Sequence, residues 1–192
     1  MSKLTAFLTV LVFSSLINVS GPVLANSSIK EKIKHFDWDG LEVVWLEDNR
    51  FPTFDMAIYF ADGALSDKRG EDGLTNAMFN LLPMGTRRFG RQEISDNLEF
   101  YGVSHGAYVT HEYSTYNVSG LLKDMNPTVK KICHLFEDAI YPKKEIAKEK
   151  KRFIDSRKNL ANNHGQLINT AFRALSLKGT PYEKAVGGTI KS

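Results

Sequence analysis

Residues 73–86 read GLTNAMFNLLPMGT. Leu74, Ala77, Met78, Leu81 and Leu82 fall at helical spacing, so the stretch predicts a helix over about 72–84, ended by Pro83 and Gly85. That apolar stripe is the expected contact with a core. Between its members sit Asn76, Phe79 and Asn80, on a side where a surface stripe ordinarily carries charge. The run directly upstream, DKRGED at 67–72, is charged at every position but its glycine. The 73–86 stretch itself carries no charged residue.

Upstream, HFDWDGLEVVWLED (35–48) alternates well enough for a strand or a bent pair of strands. DNRFPT supplies a turn, and MAIYFADGAL (56–65) reads as a further strand. Downstream, RRFGRQEISDNLEFYG (87–102) is a second amphipathic helix, with Ile94, Leu98 and Tyr101 on one face and Gly102 as its stop. VSHGAYVTHEYSTYNVSGLL (103–122) reads as two strands joined near His111 and Glu112. Asn126 and Pro127 are a good N-cap and first-turn pair for a helix through Tyr141. Pro142 opens a long polar helix to about Asn162, and GQLINTAFRALSLKG (165–179) is a last one. The order β-β-α-α-β-β-α-α-α predicts an α+β sandwich, an antiparallel β-sheet with helices packed on one face.

A chain of 192 residues with 42% hydrophobic content can bury one core and is neither disordered nor a disulfide scaffold. The net charge of +3 is modest. The most basic run, EKKRFIDSRK (149–158), is interleaved with Glu149 and Asp155, which suits a solvated helix face better than a nucleic-acid surface. The N-terminus reads as a signal peptide over residues 1–25: Lys3, then the apolar LTAFLTVLVFSSLI, then the small-residue site Val23-Leu24-Ala25. The apolar run is short for a membrane span, so a periplasmic or secreted protein is expected. Cys133 is the sole cysteine, which excludes an intrachain disulfide, and its apolar neighbours Ile132, Leu135 and Phe136 suggest a buried structural thiol.

The residues alone point to little chemistry. No two of His35, His105, His111, His134 and His164 stand four apart on a helix, the spacing that puts two imidazoles on one metal. His105, His111 and Glu112 form the only local cluster, on or beside the expected hairpin; exposed strand or turn histidines are the simpler reading. Ser104 and His105 are adjacent, and adjacent strand residues point to opposite faces, so they make no nucleophile and base. The strand from Ser104 through His105, Gly106, Ala107, Tyr108 and Val109 stands out for its small residues. At a sheet edge it would suit an extended peptide held by main-chain hydrogen bonds, and otherwise it pairs internally.

The order FADGALSD, the GL…GT helix, YGVSHGAYVTHEYSTYNVSGLL, a long charged helix and TPYEKAVGGTIKS resembles the insulinase, pitrilysin and mitochondrial-processing-peptidase family of inverted-motif zinc peptidases. The resemblance spans residues 41–192 and implies a processing-peptidase-like N-terminal domain over 26–192, cut short at its C-terminal end. In that family the GL…GT helix carries H-x-x-E-H, two zinc ligands and a general base, with a glutamate on the later long helix as third ligand. Laid on this sequence, those positions hold Asn76, Phe79, Asn80 and Arg157. The family's small-strand motif is kept in part, with Gly106 in place of its asparagine and Ala107 retained.

The resemblance therefore implies a pseudo-peptidase: an exported subunit without zinc of its own, paired with a catalytic family member that carries the metal. Its role would be to help form a chamber and to grip extended peptide at 104–109. An active zinc protease using the displaced ligands His105, His111 and Glu112 is the alternative, as is a stand-alone periplasmic binding or scaffold protein. Nucleic acid and a stable membrane span are not expected. Asn76, Phe79 and Asn80 are expected to line an empty catalytic cavity, while Leu74, Ala77, Met78 and Leu81 meet the core.

Overall fold

The computed structural model describes residues 28–191. The expected leader and its cleavage site lie outside the described residues. The chain divides into two compact units, at residue 51.

The first unit holds α1 (Ser28–Lys32) and a hairpin of β1 (Ile33–Trp38) and β2 (Leu41–Leu46). Its register runs from Ile33 opposite Leu46 to Trp38 opposite Leu41, which leaves Asp39 and Gly40 as a two-residue loop. Both adopt positive φ, 55° and 84°. That is the backbone a tight hairpin demands, because its twist matches that of the strands, and Asp-Gly is well suited to it. Asp37 Oδ1 accepts the Gly40 N–H at 3.0 Å. The 35–48 segment is thus a pair of strands.

In the second unit β3 (Thr53–Phe60), β4 (Ser104–Val109) and β5 (Ser114–Leu121) form an antiparallel sheet in the order β3-β5-β4. Alternation sorts the side chains by face. Phe54, Met56, Ile58 and Phe60 turn inward, opposite Gly120, Val118, Tyr116 and Ser114. His105, Ala107 and Val109 join them from the other side. The outer face presents Asp55, Tyr59, Asn117, Ser104, Gly106 and Tyr108 to solvent.

Helices α2 (Leu74–Leu81), α3 (Arg91–Phe100) and α4 (Met125–Asp138) supply the opposing layer. The core combines Phe54, Tyr116 and Val118 of the sheet with Phe79 and Leu82, with Ile94 and Leu98 of α3, and with Ile132 and Leu135 of α4. This is the α+β arrangement, with helices on one face of an antiparallel sheet. Two further helices follow, α5 (Lys143–Lys158) and α6 (His164–Ser176).

Three local expectations are corrected. Leu74 and Met78 are 55% and 42% exposed, whereas Phe79 is buried. The helix is turned so that its aromatic side chain, with more area to bury than either, meets the sheet. Helix α4 begins at Met125, after a 3₁₀ turn at Leu122–Asp124, so Pro127 lies within its first turn and Asn126 is not the cap. Proline is tolerated there because first-turn N–H groups have no partner within the helix. Cys133 is half-buried, and burial, aided by the Glu137 carboxylate, raises its thiol pKa.

Candidate functional site

Helix α2 is held at its start by a carboxylate from outside the helix. Asp67 Oδ2 accepts the Gly73 N–H at 2.8 Å. Its Oδ1 accepts both the Thr75 N–H, at 2.9 Å, and the Thr75 hydroxyl, at 2.6 Å. A helix N-terminus exposes unpaired N–H groups and partial positive charge, and a carboxylate satisfies both. Gly73 itself has φ of 95°, and a Cβ there would stand 2.6 Å from the Gly187 carbonyl group. Only glycine meets both constraints.

The position on which the resemblance places the general base, Phe79, is a core residue. Its ring meets that of Phe60 edge-on at 5.2 Å, and Phe60 stacks on Phe136 at 5.6 Å. Phe136 in turn meets the Tyr116 ring at 5.3 Å. The expectation that Phe79 lines an open cavity is corrected by this packing: the ring fills the space between α2 and the sheet.

Asn76 and Asn80 are one turn apart on α2 and both half-buried. Arg157, on α5, donates from Nη2 to the Gly188 carbonyl at 3.0 Å and lies over the Phe153 ring at 5.0 Å. The turn at 185–188, closed by Gly188 N–H to Ala185 O at 2.8 Å, lies against both Asn76 and Arg157. A Cβ on Gly187 would lie 3.6 Å from Arg157 Nη2 and 3.7 Å from Asn76 Nδ2. This loop of the chain itself covers the two side chains. The donor set does not fit a zinc ion: carboxamides are weak neutral donors, phenyl offers no lone pair and guanidinium is a cation.

His105, His111 and Glu112 are not brought together. His105 is on the inner face of β4, where its Nδ1 lies 2.7 Å from the Tyr116 hydroxyl in a hydrogen bond. Burial lowers the His105 pKa and raises that of Tyr116, so both stay neutral. His111 and Glu112 instead hold the 180–184 segment. The His111 Nε2–H donates to the Lys184 carbonyl at 2.9 Å, and the Tyr182 hydroxyl donates to the Glu112 carboxylate. Lys184 also pairs with Asp72 at 2.6 Å. Among the described residues no three His, Cys, Asp or Glu side chains converge as metal ligands would.

Residues 104–109 form β4 as a whole, paired on one side with β5 and standing at the end of the described sheet. Ser104, Gly106 and Tyr108 are exposed, while His105, Ala107 and Val109 are half-buried beneath them. Strand β4 also lies next to α2. Among the described residues β4 is therefore an edge strand. Asp67, the Gly73–Gly187 approach and the clasp from His111 and Glu112 were missed from sequence. The Gly73–Gly187 approach and the clasp join residues far apart in the chain, whereas Asp67 lies only six to eight residues from the groups it binds.

The fold is that of an α+β domain with Asn76, Phe79, Asn80 and Arg157 at the motif positions, and comparison with known proteins assigns its family. The insulinase family, peptidase family M16, matches residues 43–189, and the chain belongs to that family. It is similar to cytochrome b-c1 complex subunit 1, mitochondrial, of Rattus norvegicus, 23% identical over 78% of this chain and 31% of that protein. An uncharacterized zinc protease of Rickettsia felis is 22% identical over 68% of this chain and 32% of its own length. The chain thus spans about a third of the curated relatives it matches.

The inactive domain of a peptidase M16 from Pseudomonas fluorescens superposes with a TM-score of 0.74 at 19% identity, covering 81% of this chain and 38% of that one. A protease from Helicobacter pylori gives 0.72 at 14% identity, over 83% and 39%. At those identities the likeness is one of fold. No helix among the described residues is long and apolar enough to cross a membrane.

Proposed function

We propose that this chain is a non-catalytic, exported subunit of a zinc peptidase of the M16 family. It helps enclose the chamber and holds extended peptide along β4, while a catalytic family member carries the zinc and the general base. The observation that carries the reading is the set of side chains at the motif positions. Phe79 is packed in the core, Arg157 is bonded to the Gly188 carbonyl, and Asn76 lies beneath the same loop. None of these can deliver a proton to or from a metal-bound water. The relatives support the subunit role, since one is named as a subunit of a larger complex and one solved neighbour as an inactive domain.

Strand β4 supports the peptide-holding role, because its position at the end of the sheet suits main-chain pairing with an extended segment. The test is affinity purification from the native host, with zinc and peptidase assays on the chain alone and on what accompanies it. The expected outcome is a co-purifying protein with H-x-x-E-H, with zinc and hydrolysis in the complex only. Stoichiometric zinc and peptide hydrolysis by the chain alone would overturn the reading.

A further inference from the structure

Between α3 and α4 runs a groove of about 360 Å³ that belongs neither to the motif positions nor to β4. One wall is apolar: Phe89 and Tyr101, which flank α3, stand over the buried Ile94 and Leu98. The other wall is α4, from Pro127 to Leu135, and it contributes Lys130, Lys131 and His134, with Arg88 entering from the loop before α3. No aspartate or glutamate is among the lining residues. This one-sidedness is unusual on a chain whose opposite charges are elsewhere interleaved.

The two lysines of the groove have no carboxylate partner among the described residues. Lys130 is exposed and has no ion-pair partner among the described residues. Lys131 Nζ bonds the neutral Asn97 Oδ1 at 3.1 Å and lies 5.6 Å above the Tyr101 ring. Arg87 and Arg88 share the single carboxylate of Asp138, which stands next to Glu137. His134 has one exposed partner, Glu137, at 3.6 Å.

The spacing of the charges selects among anions. Arg88 stands at the Asp138 end of α4, His134 one turn back, and Lys130 and Lys131 about one turn further. Successive steps are therefore roughly 5–6 Å, the pitch of a helix. A phosphate or a single carboxylate would engage one step only. Alternate side chains of an extended peptide lie on one side about 6.6–7 Å apart, close to that spacing, while the intervening side chains point to the other side. Acidic residues at alternate positions would meet α4 and the apolar ones between them would meet the α3 wall.

We propose that this groove binds an extended peptide segment of alternating acidic and apolar residues. The site does not depend on the subunit role proposed above, and its test uses no peptidase readout. The probe is acetyl-Glu-Leu-Glu-Leu-Glu-amide, titrated calorimetrically against the full chain, with the Gln-for-Glu peptide and phosphatidylglycerol vesicles as the comparison arms. Saturable binding of the Glu peptide is expected, weakening as salt rises because exposed charges are screened.

Combined Arg88→Glu and Lys130→Glu is expected to weaken binding at least about tenfold, since attraction is replaced by repulsion at two steps. The milder pair Arg88→Gln and Lys130→Gln keeps the test open if charge reversal disturbs folding, and is expected to weaken binding by a smaller factor. Equal affinity for the Gln peptide, or unchanged affinity in both variants, would overturn the proposal. So would binding to the vesicles with none to the peptide, which would make the groove a lipid-headgroup surface.

Discussion

Putting the catalytic glutamate back at position 79 is the most direct challenge to the account of α2. Phe79 is 6% exposed and in edge contact with Phe60. Removing a buried phenyl ring by Phe79→Ala costs about 3–5 kcal/mol, the lost transfer energy plus the cavity left behind. The edge-on contact with Phe60 accounts for about 0.5–1.5 kcal/mol of aromatic pairing. Phe79→Glu loses the same ring and adds a carboxylate that must be buried unpaired or protonated, a further cost of several kcal/mol. Against a total stability of about 5–15 kcal/mol, Phe79→Ala leaves a weakened fold and Phe79→Glu leaves little or none.

Thermal unfolding followed by far-ultraviolet circular dichroism measures the first; the expected fall in melting temperature is roughly 6–20 °C. For Phe79→Glu the expected result is loss of the cooperative transition. A Phe79→Leu variant, which keeps most of the apolar volume, should fall between wild type and Phe79→Ala. The reasoning fails if Phe79→Glu unfolds within about 1 kcal/mol of the wild type, because the side chain would then be facing water and not the sheet.

Three further outcomes follow from the same contacts. Asp67→Ala leaves two N–H groups and a hydroxyl at the start of α2 without their acceptor; a loss of about 1–3 kcal/mol is expected in urea denaturation, with Asp67→Asn recovering part of it. Gly73→Ala meets both an unfavourable φ and the Gly187 carbonyl at 2.6 Å. It should loosen the 185–188 turn, read as faster limited proteolysis C-terminal to Lys184, and unchanged cleavage would refute the close approach. His105 has a lowered pKa because it is buried. The unfolded state therefore binds the proton more readily. The stability that depends on neutral His105 is present above its ordinary value of about 6.5 and is lost as pH falls from there through the lowered folded value. Urea midpoints at neutral and mildly acid pH should show this decline, and His105→Gln should flatten it.

Much of the architecture was legible because it depends on neighbours in sequence. The strand at 56–65 and the pair within 103–122 were legible, although β3 runs earlier than read, from Thr53 to Phe60, and the 61–65 part is not strand. The 35–48 segment was legible as a strand or a bent pair, and the structure resolves it as a hairpin with Asp39 and Gly40 at positive φ. The helices were found by their periodicity, with errors of a few residues at the ends, as at Met125, where a preceding 3₁₀ turn moved the start. The candidate positions Asn76, Phe79, Asn80 and Arg157 were legible only through resemblance, since no local pattern marks a side chain as standing where a ligand once stood.

What the sequence determined by itself is therefore the element order and the chemistry missing from GLTNAMFNLLPMGT: no residue in it can hold a metal strongly or accept a proton. Only the tertiary structure decided which way that helix faces. Periodicity allowed Leu74 and Met78 to meet the core as readily as Phe79, because stripes 100° apart on a short helix are nearly equivalent in sequence. The choice was made by surfaces distant along the chain. Phe60 and Phe136 form an aromatic cluster that Phe79 completes, Asp67 anchors the helix start, and the 185–188 turn closes over Asn76 and Arg157. All but the Asp67 anchor are contacts between segments that no local window contains, and together they set the helix rotation that its own residues leave open.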